Sequence, residues 1–182
     1  MPYEVPPDLA ALSLLDLARA VEERRLPPIE HWAPAESIDS EMRIAADGSW
    51  YHQGTRIGRP AMVRAFSTLL MRDDSGQHWL ITPECRQSIV VEDAAFRAVD
   101  LRRAGDAMAF RLNTDDLVLA GPDHPLRAAG DPDVPAIYLA VRHGCEARLD
   151  RSTWLQLVEE ALAEGDGLAV TSQGARFPLV PA

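Results

Sequence analysis

Residues 42–82, MRIAADGSWYHQGTRIGRPAMVRAFSTLLMRDDSGQHWLIT, decide how this chain is built. Asp47-Gly48 divides Met42-Arg43-Ile44-Ala45 from Trp50-Tyr51-His52, and Asp-Gly supplies two residues that tolerate the positive φ of a tight hairpin. A second reversal falls at Gln53-Gly54 and hands the chain to Thr55-Arg56-Ile57. Gly58-Arg59-Pro60 reads as a helix start, because proline in the first helical position loses no hydrogen bond. Met62, Val63, Phe66, Leu69 and Leu70 follow at one-face helical spacing. Asp73-Asp74-Ser75-Gly76 breaks the pattern, residues 78–82 resume as strand, and Pro83 closes it.

Outward from that stretch the same grammar continues. Pro2, Pro6 and Pro7 make 2–7 an extended arm, and Asp8 or Ser13 caps a helix to about residue 25 with Leu12, Leu15, Leu17 and Val21 as its apolar stripe. Pro27-Pro28 ends it, and Trp32 pins the irregular connector that follows. The β-branched run 86–92 favours strand. Residues 95–102 and 107–112 flank Ala104-Gly105-Asp106 as a second hairpin, and 117–120 is a further strand. Residues 121–135, GPDHPLRAAGDPDVP, are dense in Gly and Pro and read as loop throughout. Strands at 137–142 and 145–149 precede a helix capped by Asp150 or Ser152, with Trp154, Leu155, Val158, Ala161 and Leu162 on one face. Gly165 and Gly167 stop it, and a turn at Gln173-Gly174 separates two last strands.

The order strand–turn–strand–helix–turn–strand thus occurs at 42–82 and again at 137–179, which suggests duplication. Strand pairs interrupted by helices, without regular βαβ alternation, place the fold in the α+β class. The expected division is an N-terminal arm, helix and connector at 1–37, one α+β unit at 38–84 and a second at 85–182.

Composition narrows the function. The 182 residues carry a net charge of −10, which disfavours non-specific binding to nucleic acid and to anionic membranes. All 18 basic residues are arginine. The lack of lysine removes a Walker-type phosphate loop and Schiff-base chemistry, while arginine still grips carboxylate and phosphate bidentately. The two cysteines, Cys85 and Cys145, have no metal-ligand spacing, and the five histidines show no helical ligand pattern. No basic n-region precedes the first apolar stretch and no apolar run reaches membrane-spanning length, so a cytoplasmic protein without membrane association is expected.

Three polar clusters are candidates for a site. In 121–127, Asp123 can orient His124 while Arg127 holds an anion, although a proline-bounded turn asks for the same residue types. Glu92-Asp93 follow a strand and can pair with Arg59, Arg86 or Arg142; adjacent strand residues face opposite ways, which argues against a shared acid/base dyad. Cys145 beside His143 or His124 is the one arrangement resembling a thiol nucleophile and base, against the commoner inert cysteine. No catalytic residue and no metal ligand is assigned, and no cofactor is identified.

The ordered set Met42-Arg43-Ile44, Asp47-Gly48, Trp50, Gly54, Ile57, Arg59, Phe66-Ser67, Leu70, Leu80-Ile81-Thr82-Pro83, Val91-Glu92-Asp93, Phe96 and 121–127, with Tyr138-Leu139-Ala140-Val141-Arg142, Gly144 and Glu146-Ala147, resembles the bacterial family catalogued as domain of unknown function 1285. The resemblance spans about residues 29–180. Cys85-Arg86 stands where an acidic–basic pair is expected, and Ala95 where proline is expected. The family implies two duplicated α+β units, the C-terminal one similar to pleckstrin-homology folds. It also implies a ligand site between them for a nucleotide-like molecule, and a role in signalling.

The expectation is therefore a small-ligand-binding regulatory protein. Arg59, Arg86, Arg127 and Arg142 would bind an anion, and Glu92, Asp93, Asn113, Asp123 and His124 would orient it. The alternatives are a protein-interaction adaptor without a small ligand, and a hydrolase using Asp123, His124 and Cys145.

Overall fold

The computed structural model describes residues 26–182, so the expected arm at 2–7 and the helix reaching residue 25 lie outside the described residues. Two sheets of six strands follow one another along the chain. The first contains β1 (Glu36–Ile44), β2 (Trp50–His52), β3 (Thr55–Arg56), β4 (Leu70–Arg72), β5 (His78–Ile81) and β6 (Cys85–Val91), in the order β3-β2-β1-β6-β5-β4. The second contains β7 (Phe96–Ala104), β8 (Ala107–Leu112), β9 (Leu117–Ala120), β10 (Leu126–Ala129), β11 (Ala136–Arg142) and β12 (Cys145–Leu149), in the order β10-β11-β12-β7-β8-β9.

The two orders are one topology. Each unit is a pair of three-stranded antiparallel meanders, joined at the centre by the unit's first strand lying parallel to its last: β1 with β6, β7 with β12. Helix α1 (Pro60–Ser67) is inserted between the third and fourth strands of the first unit, whereas α2 (Arg151–Glu164) follows the sixth strand of the second. A final hairpin, β13 (Ala169–Ser172) and β14 (Ala175–Pro178), closes on the second sheet, where the Ser172 hydroxyl donates to Ala120 O and accepts from Met108 N.

Duplication and the α+β class hold, with strand predominating, but the repeat runs from β1 to β6 and from β7 to β12 rather than over 42–82 and 137–179. Element order misleads because the helix occupies a different place in each copy. Residues 85–91, assigned to the second unit from sequence, form β6 between β1 and β5. The seam accordingly falls at the connector 92–95.

Turn chemistry explains most of the strand ends. Gln53-Gly54, His143-Gly144 and Gln173-Gly174 all have positive φ at both residues, the paired left-handed geometry of a two-residue hairpin. At Asp47-Gly48 only the glycine has positive φ; Ala45 N bonds Ser49 O, so the loop is longer than the tight two-residue turn expected. Residues 121–135 are not loop throughout, since β10 runs within them and Leu126 is buried opposite Leu139.

The α2 face is also rotated from expectation. Asp150 caps it through Thr153 N at 2.8 Å, but Thr153, Leu157 and Ala161 are the buried residues, while Leu155 and Leu162 are 53% and 68% exposed. Arg103 of β7 pairs with Glu160 and Glu164, which ties the C-terminal half of this helix to the sheet through its polar residues.

One apolar core runs through both units, with Ile44, Trp50, Leu70 and Ile89 from the first sheet and Phe96, Phe110, Leu112 and Leu139 from the second. Each such side chain contributes roughly 1.5–3 kcal/mol on burial. The seam is reinforced by backbone contact, since Arg72 N of β4 donates to His143 O at 2.8 Å. Gly144 lies so close that a Cβ there would sit 2.5 Å from Arg72 O.

Candidate functional site

Alternation along β11 and β12 sorts their side chains into two sets. Ile137, Leu139 and Val141, with Cys145, Ala147 and Leu149, are buried in the core. The other set is polar. Arg127, Tyr138, Arg148 and Arg97 stand directly opposite one another on β10, β11, β12 and β7, making a row of three arginines and a tyrosine across the sheet. Like charges so aligned need compensation. Two carboxylates supply it, one from within the sheet and one from the seam.

Glu146 binds Arg127 with both oxygens at 2.6 Å, and the same guanidinium lies 4.3 Å over the Tyr138 ring. Those hydrogen bonds, against partial burial, raise the Arg127 pKa further. Asp93, in the connector between the units, accepts a 2.6 Å hydrogen bond from Tyr138 Oη and a 2.9 Å bond from Arg148. Burial, then the Asp93 bond, pushes the Tyr138 phenol up. The other wall comes from the first unit. Asp73 builds its hairpin by accepting from Ser75 Oγ and Trp79 Nε1, and from Gln77 N and Ser75 N, which holds its carboxyl down at about 2.

Between these walls lies a crevice of about 220 Å³, lined by Arg72, Gly76, His78 and Asp93 of the first unit and by Arg127, Tyr138 and Glu146 of the second. Burial, then the nearby Arg72, pulls the His78 pKa down, so its imidazole is neutral at pH 7. Arg72 differs from the other cations here: it has no ion pair among the described residues, and its guanidinium lies beside Gly76, where a Cβ would meet Nη2 at 3.4 Å.

Of the residues expected from sequence to form a site, Asp93 and Arg127 line this crevice. Glu92 stands beside it but is engaged by Ala46 N and Arg43, which lower its pKa. Arg142 lies within the seam, against the Phe96 ring at 4.9 Å, donating to Ser67 O and ion-paired with buried Asp116 at 3.4 Å. The rest lie elsewhere. Arg59 is exposed at the start of α1, and Arg86 covers Trp79 on the far face of the first sheet. Asn113 accepts from Arg97 N in a turn, while Asp123 is exposed and His124 Nδ1 meets Ala140 O at 3.0 Å.

The expected partners of the Glu92-Asp93 pair are also replaced: Arg43 and Arg148 take the places foreseen for Arg59, Arg86 or Arg142. Cys145 is 1% exposed and burial pushes its thiol up to about 12, against the pull of Arg142 and Arg72. A thiol in that state packs and does not attack.

The comparisons with known proteins agree with this architecture. The family's N-terminal domain of unknown function 1285 matches residues 27–94, and its C-terminal domain matches 95–179. The chain belongs to the DUF1285 family. The boundary between the two domains falls within the connector that carries Asp93. A solved DUF1285 family protein from Silicibacter pomeroyi DSS-3 is 38% identical, with a TM-score of 0.76 over 94% of this chain and 97% of that one. A second DUF1285 structure, from Shewanella baltica OS155, shares the fold at 24% identity and a TM-score of 0.54, covering 65% of this chain and 90% of that one. No curated protein matches. No helix among the described residues is long and apolar enough to cross a membrane.

Proposed function

We propose that this DUF1285 protein is a small-ligand-binding regulatory protein whose site is the crevice between its two units. Its ligand is a small anion, nucleotide-like in presenting a phosphate. Arg72 carries the reading: among the described residues, every other charged group on the crevice wall holds a partner of opposite sign, and this guanidinium is left facing it. Guanidinium binds phosphate or carboxylate through two parallel N–H donors. His78 would add a donor and gain protonation beside the incoming anion.

The crevice is smaller than the roughly 300–1,000 Å³ that encloses drug-sized ligands. A nucleotide would therefore seat its phosphate end there and leave the base outside. Regulation would follow from position, since a ligand gripping Arg72 on one unit and the Arg127–Tyr138 wall on the other stabilises the closed seam.

Isothermal titration with AMP, GMP, citrate and inorganic phosphate tests the proposal, using the wild-type chain and Arg72→Gln. Binding weakened about tenfold or more by the substitution is expected, the size typical of a lost charged contact. Absence of binding by all four compounds at millimolar concentration rejects the reading.

A further inference from the structure

The two faces of sheet one differ: one packs into the shared core, and the other buries Ile81 opposite Arg86 but leaves Val90 open. Ile44, Trp50, Ile89 and Leu80 point into the core, so their strand neighbours point to the other face. Register places Arg56, Tyr51, Arg43 and Val90 in one row across β3, β2, β1 and β6. The next row runs from Ser88 through Trp79 to Met71, and Arg86 stands two residues before Ser88 on the same side. Arg43 lies 4.3 Å over the Tyr51 ring and Arg86 4.5 Å over the Trp79 ring. At the centre, Val90 is 60% exposed.

Aromatic residues, methionine and arginine together are the composition of interface centres. Arg43 is paired with Glu92, and Asp39 shares the face with its carboxylate turned to Glu41 N. Arg56 and Arg86, at opposite sides of the patch, have no ion pair among the described residues. The two cations stand out on a chain of net charge −10. Two other occupants fit less well. A second copy in two-fold contact would set arginine against arginine. Nucleic acid would meet the chain's negative field, and both ring faces open to its bases are already covered by guanidinium.

We infer that the open face of sheet one is a docking surface for an acidic segment of a partner protein. An apolar side chain of that segment seats over Val90 and its carboxylates meet Arg56 and Arg86. This surface is separate from the crevice and does not depend on ligand binding there.

Selection of random displayed peptides on the full chain tests it, followed by fluorescence anisotropy with the winning synthetic peptides. Peptides joining Asp or Glu to a large apolar residue are expected. Their affinity should fall about tenfold or more in Val90→Glu and in the Arg56→Glu/Arg86→Glu double variant, as for central interface residues. It should also fall with added salt and stay unchanged in Arg72→Gln. Winners without acidic bias, or binding indifferent to both surface variants, overturn the inference. So does a labelled oligouridylate that binds through this face, or a wild-type dimer in light scattering that Val90→Glu dissolves.

Discussion

Tyr138 Oη donates a 2.6 Å hydrogen bond to Asp93 Oδ1, joining a strand of the second unit to the connector that leaves the first. Arg148 holds the other carboxylate oxygen at 2.9 Å, so Asp93 is fixed from two sides of the polar row. Removing the hydroxyl with Tyr138→Phe leaves Arg148 in place but releases one oxygen. Unfolding in urea should show a loss of about 1 kcal/mol, the usual net worth of one such bond. A change in m-value would indicate that the units had also begun to unfold separately.

Gly144 and Gly54 occupy the same hairpin position with nearly the same φ, +76° and +78°, but in different surroundings. Alanine at either site costs about 1–2 kcal/mol for the left-handed backbone. At Gly144 the new methyl also strikes Arg72 O, whereas at Gly54 it meets nothing within 4 Å. Gly144→Ala should therefore destabilise the chain by at least about 1 kcal/mol more than Gly54→Ala in the same denaturation assay, the smaller end of overpacking costs.

Cys145 makes stability depend on pH at the alkaline end. In the unfolded chain its thiol ionises near its ordinary value of 9, whereas the folded chain keeps the proton to about 12. Over that window the unfolded state releases a proton that the folded state retains, so stability falls as pH rises, at up to about 1.4 kcal/mol per pH unit. Cys145→Ala should remove this part of the slope between pH 9 and 10.5 in urea titrations at fixed temperature. In the native state at pH 8 a thiol reagent should label half-exposed Cys85 and spare Cys145.

His78 gives the opposite sign. Its folded pKa lies below the ordinary 6.5, so the unfolded chain takes up a proton first and stability is lost as pH falls below 6.5 through the folded value. Arg72→Gln removes one cause of the depression and leaves burial opposed by Asp73 and Glu146, so the His78 ring resonances should titrate at higher pH. Phosphate bound at Arg72 should move them the same way, and an NMR titration reads both.

Hairpins were legible because glycine at a left-handed position leaves a local mark, as at Gln53-Gly54 and Gln173-Gly174. The closure of each sheet was not, because β1 meets β6 and β7 meets β12 only through contacts some fifty residues apart, and register across such distances has no local code. β10 was hidden by the proline and glycine on either side of it. Asp93 was found because it follows a strand end, and Arg127 because β10 reads as part of a polar loop. Arg72, His78, Tyr138 and Glu146 were missed because they lie within strands, whose polar residues read as solvent-facing when the opposing unit is unknown. The arginine, tyrosine and glutamate alternating with apolar residues through 137–149 were the available signal.

The parallel pairing at the centre of each sheet also governs how the chain travels. In both units it starts along one lane and finishes in the next, heading the same way, so Val91 ends alongside Ile44 and only four residues precede Phe96. A unit laid down like this delivers the polypeptide to its far end, clear of its own beginning. Gene-level copying could then append another unit through a connector of similar length, with no rethreading of what was already folded.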